Sequence, residues 1–170
     1  MTSRISADVI VVGGGTAGCL FAWRMAERGY DVLVLEKKRL SELGRAIEIF
    51  HMVQDQFDLF NIPHPEPPEL IHTETIGYSY SPDLSIKIPI RGTFYVLNMP
   101  AFMRRMQGYA KAAGVTFMEL ADVKDVLIEE GALVGVSGVH EGETFEARGQ
   151  LVVDTSGLAG AVRTRLPEDF

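Results

Sequence analysis

Cysteine is almost missing from this chain: Cys19 is the only one among 170 residues. That excludes an internal disulfide and any cysteine-rich metal site. A reducing, cytoplasmic setting fits such usage. Long apolar runs are missing too. No window approaches the ~18 consecutive apolar residues of a membrane span, and the apolar run after the polar opening reaches the glycines after only four residues, too short for a signal-peptide core, so none is expected. Positive charge is in deficit, with a formal net charge of −7, which disfavours nucleic acid and anionic headgroups as default partners. His51, His64, His72 and His140 are scattered without metal-ligand spacing, so no metal is expected. Ser156 lies outside any Gly-x-Ser-x-Gly elbow, which leaves a hydrolase triad unsupported.

What is present reads as a globular α/β chain. It is 46% hydrophobic, enough for a core and against wholesale disorder. Asp8–Val12 is a β-branched run expected to form a strand buried on both faces, as in a parallel sheet. Gly13-Gly14-Gly15 stops it. Thr16 to Arg28 predicts a helix with an apolar face of Ala17, Leu20, Phe21 and Met25, ended by Gly29. Asp31–Glu36 is a second buried strand, which completes a β-α-β unit with a right-handed crossover. A further helix is expected from about Arg45 to Phe60, then a proline-rich connector to Pro68. Residues 70–98 favour two or three antiparallel strands, with turns at Pro82-Asp83 and Arg91-Gly92. A helix begins near Pro100 and ends at Gly114. After a short strand at Val115–Met118 comes a three-stranded meander turning at Glu130-Gly131 and Glu141-Gly142. Leu151–Asp154 is a last buried strand, followed by Thr155-Ser156-Gly157 and a short helix up to Leu166.

The pattern that carries chemistry is Gly13-x-Gly15-x-x-Gly18 with Glu36. Gly13 permits the tight turn off the strand, Gly15 lets a pyrophosphate approach the backbone, and Gly18 lets the helix lie near the strands. The free N–H groups and dipole of the helix start favour phosphate charge. Glu36 ends the second strand, where its carboxylate accepts hydrogen bonds from ribose hydroxyls. An acid there disfavours the 2′-phosphate of NADP. The pattern alone leaves FAD and NAD both open. Cys19, on the first turn of that helix, is expected to pack against the sheet rather than to react.

These residues carry a resemblance. Asp8 through Gly18, with Val32–Lys37, resembles the opening of FAD-dependent oxidoreductases of the aromatic-hydroxylase and geranylgeranyl-reductase group. Leu151–Gly157, followed by Val162-Arg163, is similar to that group's second fingerprint, near the pyrophosphate. The resemblance implies a Rossmann-like FAD/NAD(P)-binding domain with a β-meander insertion and the start of an antiparallel substrate-domain sheet. Residues 1–170 would be the N-terminal portion of a longer enzyme, with 70–98 a substrate-domain-like β excursion. It implies FAD held by Gly13, Gly15, Thr16, Ala17, Gly18, Glu36, Lys37, Arg45, Val123, Asp154 and Gly157, with NAD(P)H as electron donor. Val123 stands where the family reads the adenine edge with backbone groups. Met99 stands where the family has an arginine, for which Arg104 or Arg105 would substitute. No catalytic acid or base is implied.

The activity implied is a reductase or monooxygenase. A geranylgeranyl-type reductase would take a prenyl-lipid substrate and touch membranes peripherally. A halogenase and a non-catalytic FAD- or NAD-binding module stand as alternatives. The family's Gly-Asp segment for the ribityl chain has no counterpart after Asp154. The expectation is that a C-terminal part or a partner chain completes the flavin site.

Overall fold

The computed structural model describes residues 2–168 and 170. Contacts divide the chain into two units, Met1–Leu43 with Met103–Phe170, and Gly44–Phe102.

The first unit opens with β1 (Ser3–Ser6), β2 (Val9–Val12), α1 (Thr16–Ala26) and β3 (Val32–Leu35). All residues of β2 and β3 are buried, as their unbroken Val, Ile and Leu content demands. The buried side of α1 is Gly18, Cys19, Ala22 and Trp23. This corrects the expected apolar face: Ala17 is exposed, and Leu20, Phe21 and Met25 are only half-buried. The small residues Gly18, Cys19 and Ala22 let the helix lie close, and Trp23 is buried where it stacks on Tyr109 at 4.6 Å between ring centroids. Gly29 has φ +87°, the left-handed stop that only glycine adopts without strain.

The second unit holds β4 (Ile49–Val53), α2 (Gln54–Leu59), β5 (Leu70–Tyr80) and β6 (Lys87–Asn98), with antiparallel order β4-β6-β5. The helix expected from Arg45 to Phe60 is corrected: a turn leads into β4, and only α2 is helical. Burial alternates along β4, with Phe50 and Met52 half-buried opposite Leu97 and Tyr95. A period-2 partner overrides a short apolar run that also suits a helix. The turn expected at Arg91-Gly92 is corrected as well. β6 runs through it, and the register with β5 shifts between Glu74↔Phe94 and Ile76↔Arg91. Gly92 therefore marks an irregularity inside a strand, the other common use of a strand glycine. The turn at Pro82-Asp83 stands, closed by Asp83 accepting from Ser81 and Ser85 hydroxyls. Beyond it Ile86, Ile88 and Ile90 are all exposed.

α3 (Met99–Ala112) starts where Asn98 Oδ1 accepts the Ala101 N–H at 2.9 Å. Then come β7 (Thr116–Met118), β8 (Ala121–Glu129), β9 (Ala132–His140), β10 (Glu143–Arg148) and β11 (Leu151–Asp154). The parallel sheet has order β11-β2-β3-β7. The meander turns have φ of +50° and +78° at Glu130 and Gly131, and +49° and +89° at Glu141 and Gly142. Positive φ at both central residues is the geometry of tight hairpins. β1 was not expected. It is polar and largely exposed, and it pairs parallel to β10 at the meander's edge. Ile10, Val12, Leu33 and Leu35 form one core with Val123, Val136, Phe145 and Val162, so the meander covers the parallel sheet. The short helix expected before Leu166 is instead two 3-10 turns, Gly157–Ala159 and Arg163–Arg165. Among the described residues, no helix is long and apolar enough to cross a membrane.

Candidate functional site

Three glycines shape the junction of β2 with α1, each for its own reason. Gly13 has φ +106°, and a Cβ there would lie 2.6 Å from the Thr155 carbonyl oxygen. Its N–H donates to Leu35 O at 2.8 Å, which ties the turn to β3. A Cβ on Gly18 would lie 2.0 Å from Gly13 O and 2.8 Å from Thr155 Oγ1. Gly13 and Gly18 are thus required by packing. Gly15 is different. Its backbone is extended, at φ −70° and ψ −170°, a conformation open to any residue. A Cβ on it would meet nothing within 4 Å. Nothing inside the protein demands a glycine here; it leaves open space beside the start of α1.

The start of α1 has no side-chain cap and no acidic residue in its first turn. Its first intrahelical bond is Cys19 N–H to Gly15 O at 2.9 Å, so the N–H groups of Thr16, Ala17 and Gly18 precede the helical ladder. Ala17 is exposed and Thr16 half-buried. Glu36 is only 6% exposed. Its Oε2 accepts from Gly14 N at 2.8 Å and its Oε1 from Lys38 N at 2.9 Å. Each carboxylate oxygen keeps further acceptor capacity. Lys37 is exposed on the loop just beyond.

The second fingerprint reaches the same edge through Thr155. Its Oγ1 lies 2.8 Å from Gly13 O and 3.0 Å from Val12 O, and its N–H donates to Val12 O at 2.9 Å. Asp154 works on the segment behind it. Oδ1 accepts from Ser156 N and Oγ, and Oδ2 from the N–H groups of Val162 and Arg163. Partial burial pushes its carboxyl up, but the Ser156 hydroxyl and the Arg163, Ser156 and Val162 amides outweigh it and hold the group below the usual range. Asp154 therefore shapes the turn. Gly157 is exposed in that turn at φ +68°. Val123 is buried on β8, which starts where Ala121 N donates to Glu36 O at 2.9 Å.

Gly13, Gly15, Thr16, Ala17, Gly18, Glu36 and Lys37 thus meet at one edge, with Asp154 and Gly157 joined through Thr155. Arg45 is exposed in the other unit, as part of the turn before β4. Met99 opens α3, and Arg104 is exposed on it. Sequence reasoning missed Gly14 and Thr155. A Cβ on Gly14 would lie 3.3 Å from Glu36 Cβ and 3.4 Å from Leu40 Cδ2. Nothing in the glycine run distinguishes Gly14, and the hydroxyl of Thr155 finds its partners only in the fold. Among the described residues, no three His, Cys, Asp or Glu side chains gather to hold a metal ion.

A family model described as FAD dependent oxidoreductase matches residues 8–51. The chain is 26% identical to the digeranylgeranylglycerophospholipid reductase of Sulfolobus acidocaldarius, over 98% of this chain and 37% of that protein. It is 31% identical to the enzyme of the same name from Methanocella arvoryzae, over 91% of this chain and 40% of that protein. The chain thus spans about two fifths of the length of these curated relatives. The crystal structure of a geranylgeranyl bacteriochlorophyll reductase-like protein from Thermoplasma acidophilum superposes with a TM-score of 0.78 at 22% identity, covering 91% of this chain and 40% of that one. Residues 8–51 match the FAD-dependent oxidoreductase model, nearly the whole chain is similar in sequence to digeranylgeranylglycerophospholipid reductases, and the superposition shows a shared fold.

Proposed function

We propose that this chain holds the ADP half of FAD in an oxidoreductase that reduces carbon–carbon double bonds of a prenyl lipid, with NAD(P)H as the source of electrons. The substrate class rests on the names of the curated relatives, which match nearly the whole chain as reductases of digeranylgeranylglycerophospholipids. The observation that carries the cofactor is the open space at Gly15. It lies beside bare helix-start amides and next to Gly14, whose N–H donates to the buried Glu36 carboxylate.

The residues fit the group. The amides of Thr16, Ala17 and Gly18, with the positive end of α1, stabilise diphosphate charge. Glu36 accepts from the ribose hydroxyls while Gly14 and Lys38 hold its side chain in place. Lys37 adds positive potential at the rim. Val123 offers backbone groups to the adenine edge, and the Asp154–Gly157 segment closes the phosphate side. Arg45 would reach the flavin side, and 70–98 would contribute to a substrate-domain sheet. Bound FAD, once reduced, supplies the hydride; the protein supplies position and electrostatics. The remaining length found in the relatives, or a partner chain, would complete the flavin and substrate sites.

The test exploits the difference between the glycines. Gly15→Val fills open space without backbone strain, so the fold is expected to keep its circular dichroism and melting temperature. FAD affinity, read by quenching of flavin fluorescence, is expected to fall on the order of 100-fold or more, because the added side chain occupies the phosphate position. Unchanged FAD affinity in this variant would overturn the proposal.

A further inference from the structure

We propose that Gln107 and Glu119 are positioning residues for the carboxylate of Glu36, acting through the backbone of Leu40. This rests on the dinucleotide reading above. The loop after β3 carries Lys38, whose N–H holds Glu36 Oε1 at 2.9 Å. Two residues later Leu40 opens a 3-10 turn, Leu40–Glu42. The first N–H of such a turn has no partner within it. Here Glu119 Oε2 accepts the Leu40 N–H at 3.1 Å. On the other side Gln107 Nε2 donates to Leu40 O at 3.1 Å. Both polar groups of Leu40 are thus engaged by side chains from elsewhere, one from α3 and one from just beyond β7, and its carbonyl also accepts the Leu43 N–H at 3.2 Å.

Gln107 is only 7% exposed. A buried amide is costly without a partner, so its donor is committed to Leu40. The Leu40 side chain is buried in turn, and its Cδ2 lies 3.4 Å from where a Cβ on Gly14 would stand. Glu36 Cβ flanks the same point at 3.3 Å. Gly14 donates its N–H to Glu36 Oε2 at 2.8 Å. The result is a closed circuit. Leu40 and Glu36 bracket Gly14, Gly14 and Lys38 fix the two oxygens of Glu36, and the clasp on Leu40 fixes the loop that carries Lys38. Neither clasping side chain has an atom within 4 Å of the Cβ position at Gly15, so neither obstructs the phosphate space. Their effect on a nucleotide passes through Glu36, at the ribose.

The test uses Gln107→Leu, Glu119→Ala and Glu119→Gln in the otherwise unaltered protein. FAD and ADP affinities are read by calorimetry. Residue-resolved amide hydrogen exchange is read by NMR without nucleotide. Gln107→Leu and Glu119→Ala are each expected to weaken FAD and ADP by about fivefold, the usual scale of one lost hydrogen bond. Glu119→Gln keeps an acceptor oxygen and is expected to recover at least half of that loss. In the free protein the Gly14 and Lys38 amides, both donated to Glu36, are expected to exchange about tenfold faster in the two disrupting variants. Val11 and Val34 are expected to keep their protection. Affinities within about twofold of the unaltered protein would overturn the proposal. So would equal acceleration at Val11 and Val34, which marks general destabilisation. If the unaltered protein binds neither FAD nor ADP, the cofactor reading fails by itself. Exchange at Gly14 and Lys38 then decides the clasp: acceleration supports it and unchanged protection overturns it.

Discussion

At the scale of single residues, Cys19 shows how position decides chemistry. A helix start favours a thiolate, yet burial, joined by the Glu36 charge and opposed by Lys111, pushes this thiol up to about 12. Its Sγ–H points at Gly14 O, 3.2 Å away. In the unfolded chain the group ionises near the ordinary 9.0. Below that value both states hold the proton and stability is unaffected. Above it the unfolded state alone loses the proton, so stability falls by about 1.4 kcal/mol per pH unit until the folded thiol titrates. Denaturant melts at about pH 8 and about pH 10.5 measure this. Cys19→Ala is expected to lose less stability across the interval than the cysteine protein; equal losses would mean that the thiol does not stay protonated. The packing role of Cys19 was legible from its place in the sequence. The roles of Gly14 and Thr155 were not, because each is defined by atoms from a distant part of the chain.

At the scale of elements, legibility followed the strength of the local signal. β2 and β3 are short unbroken apolar runs, and the meander is punctuated by two Glu-Gly pairs that take positive φ at both positions. Those were readable. β1 was not, since Ser3–Ser6 has no apolar pattern and is a strand only because β10 offers an edge. β4 was misread because Ile49–Val53 suits either period, and only β6 arbitrates. The junction of α1 with the strands makes a sharper prediction. Gly18→Ala would put a methyl 2.0 Å from Gly13 O and 2.8 Å from Thr155 Oγ1. Backbone cannot yield there cheaply, so α1 must lift from the sheet. A loss of about 1–3 kcal/mol of unfolding free energy is expected, together with weaker FAD binding as the helix-start amides move. Gly15→Val, by contrast, is expected to lose affinity alone. Denaturant melts and flavin titration of both variants separate the roles, and a Gly18→Ala protein as stable as the unaltered one would contradict the packing argument.

At the scale of the molecule, two stretches from opposite ends of the chain become one edge. β11 lies parallel beside β2, so Thr155 arrives against Gly13, while the meander covers the other face of the same strands. The site is therefore folded structure rather than a loop, and what binds it must stabilise the whole first unit. Nucleotide at about 100 times its dissociation constant adds roughly 2.7 kcal/mol to the folded state. For a chain of this size that corresponds to a rise of about 5–10 °C in melting temperature. On the proposed reading, the residues gathered at this edge would address phosphate and ribose rather than the isoalloxazine. FAD and ADP are therefore expected to raise the melting temperature by similar amounts when each is supplied at the same multiple of its own dissociation constant. FMN, which has the flavin but no adenosine, is expected to leave it unchanged. Differential scanning calorimetry with the three ligands makes the comparison. A shift with FMN and none with ADP would place the grip on the flavin and away from Gly15 and Glu36.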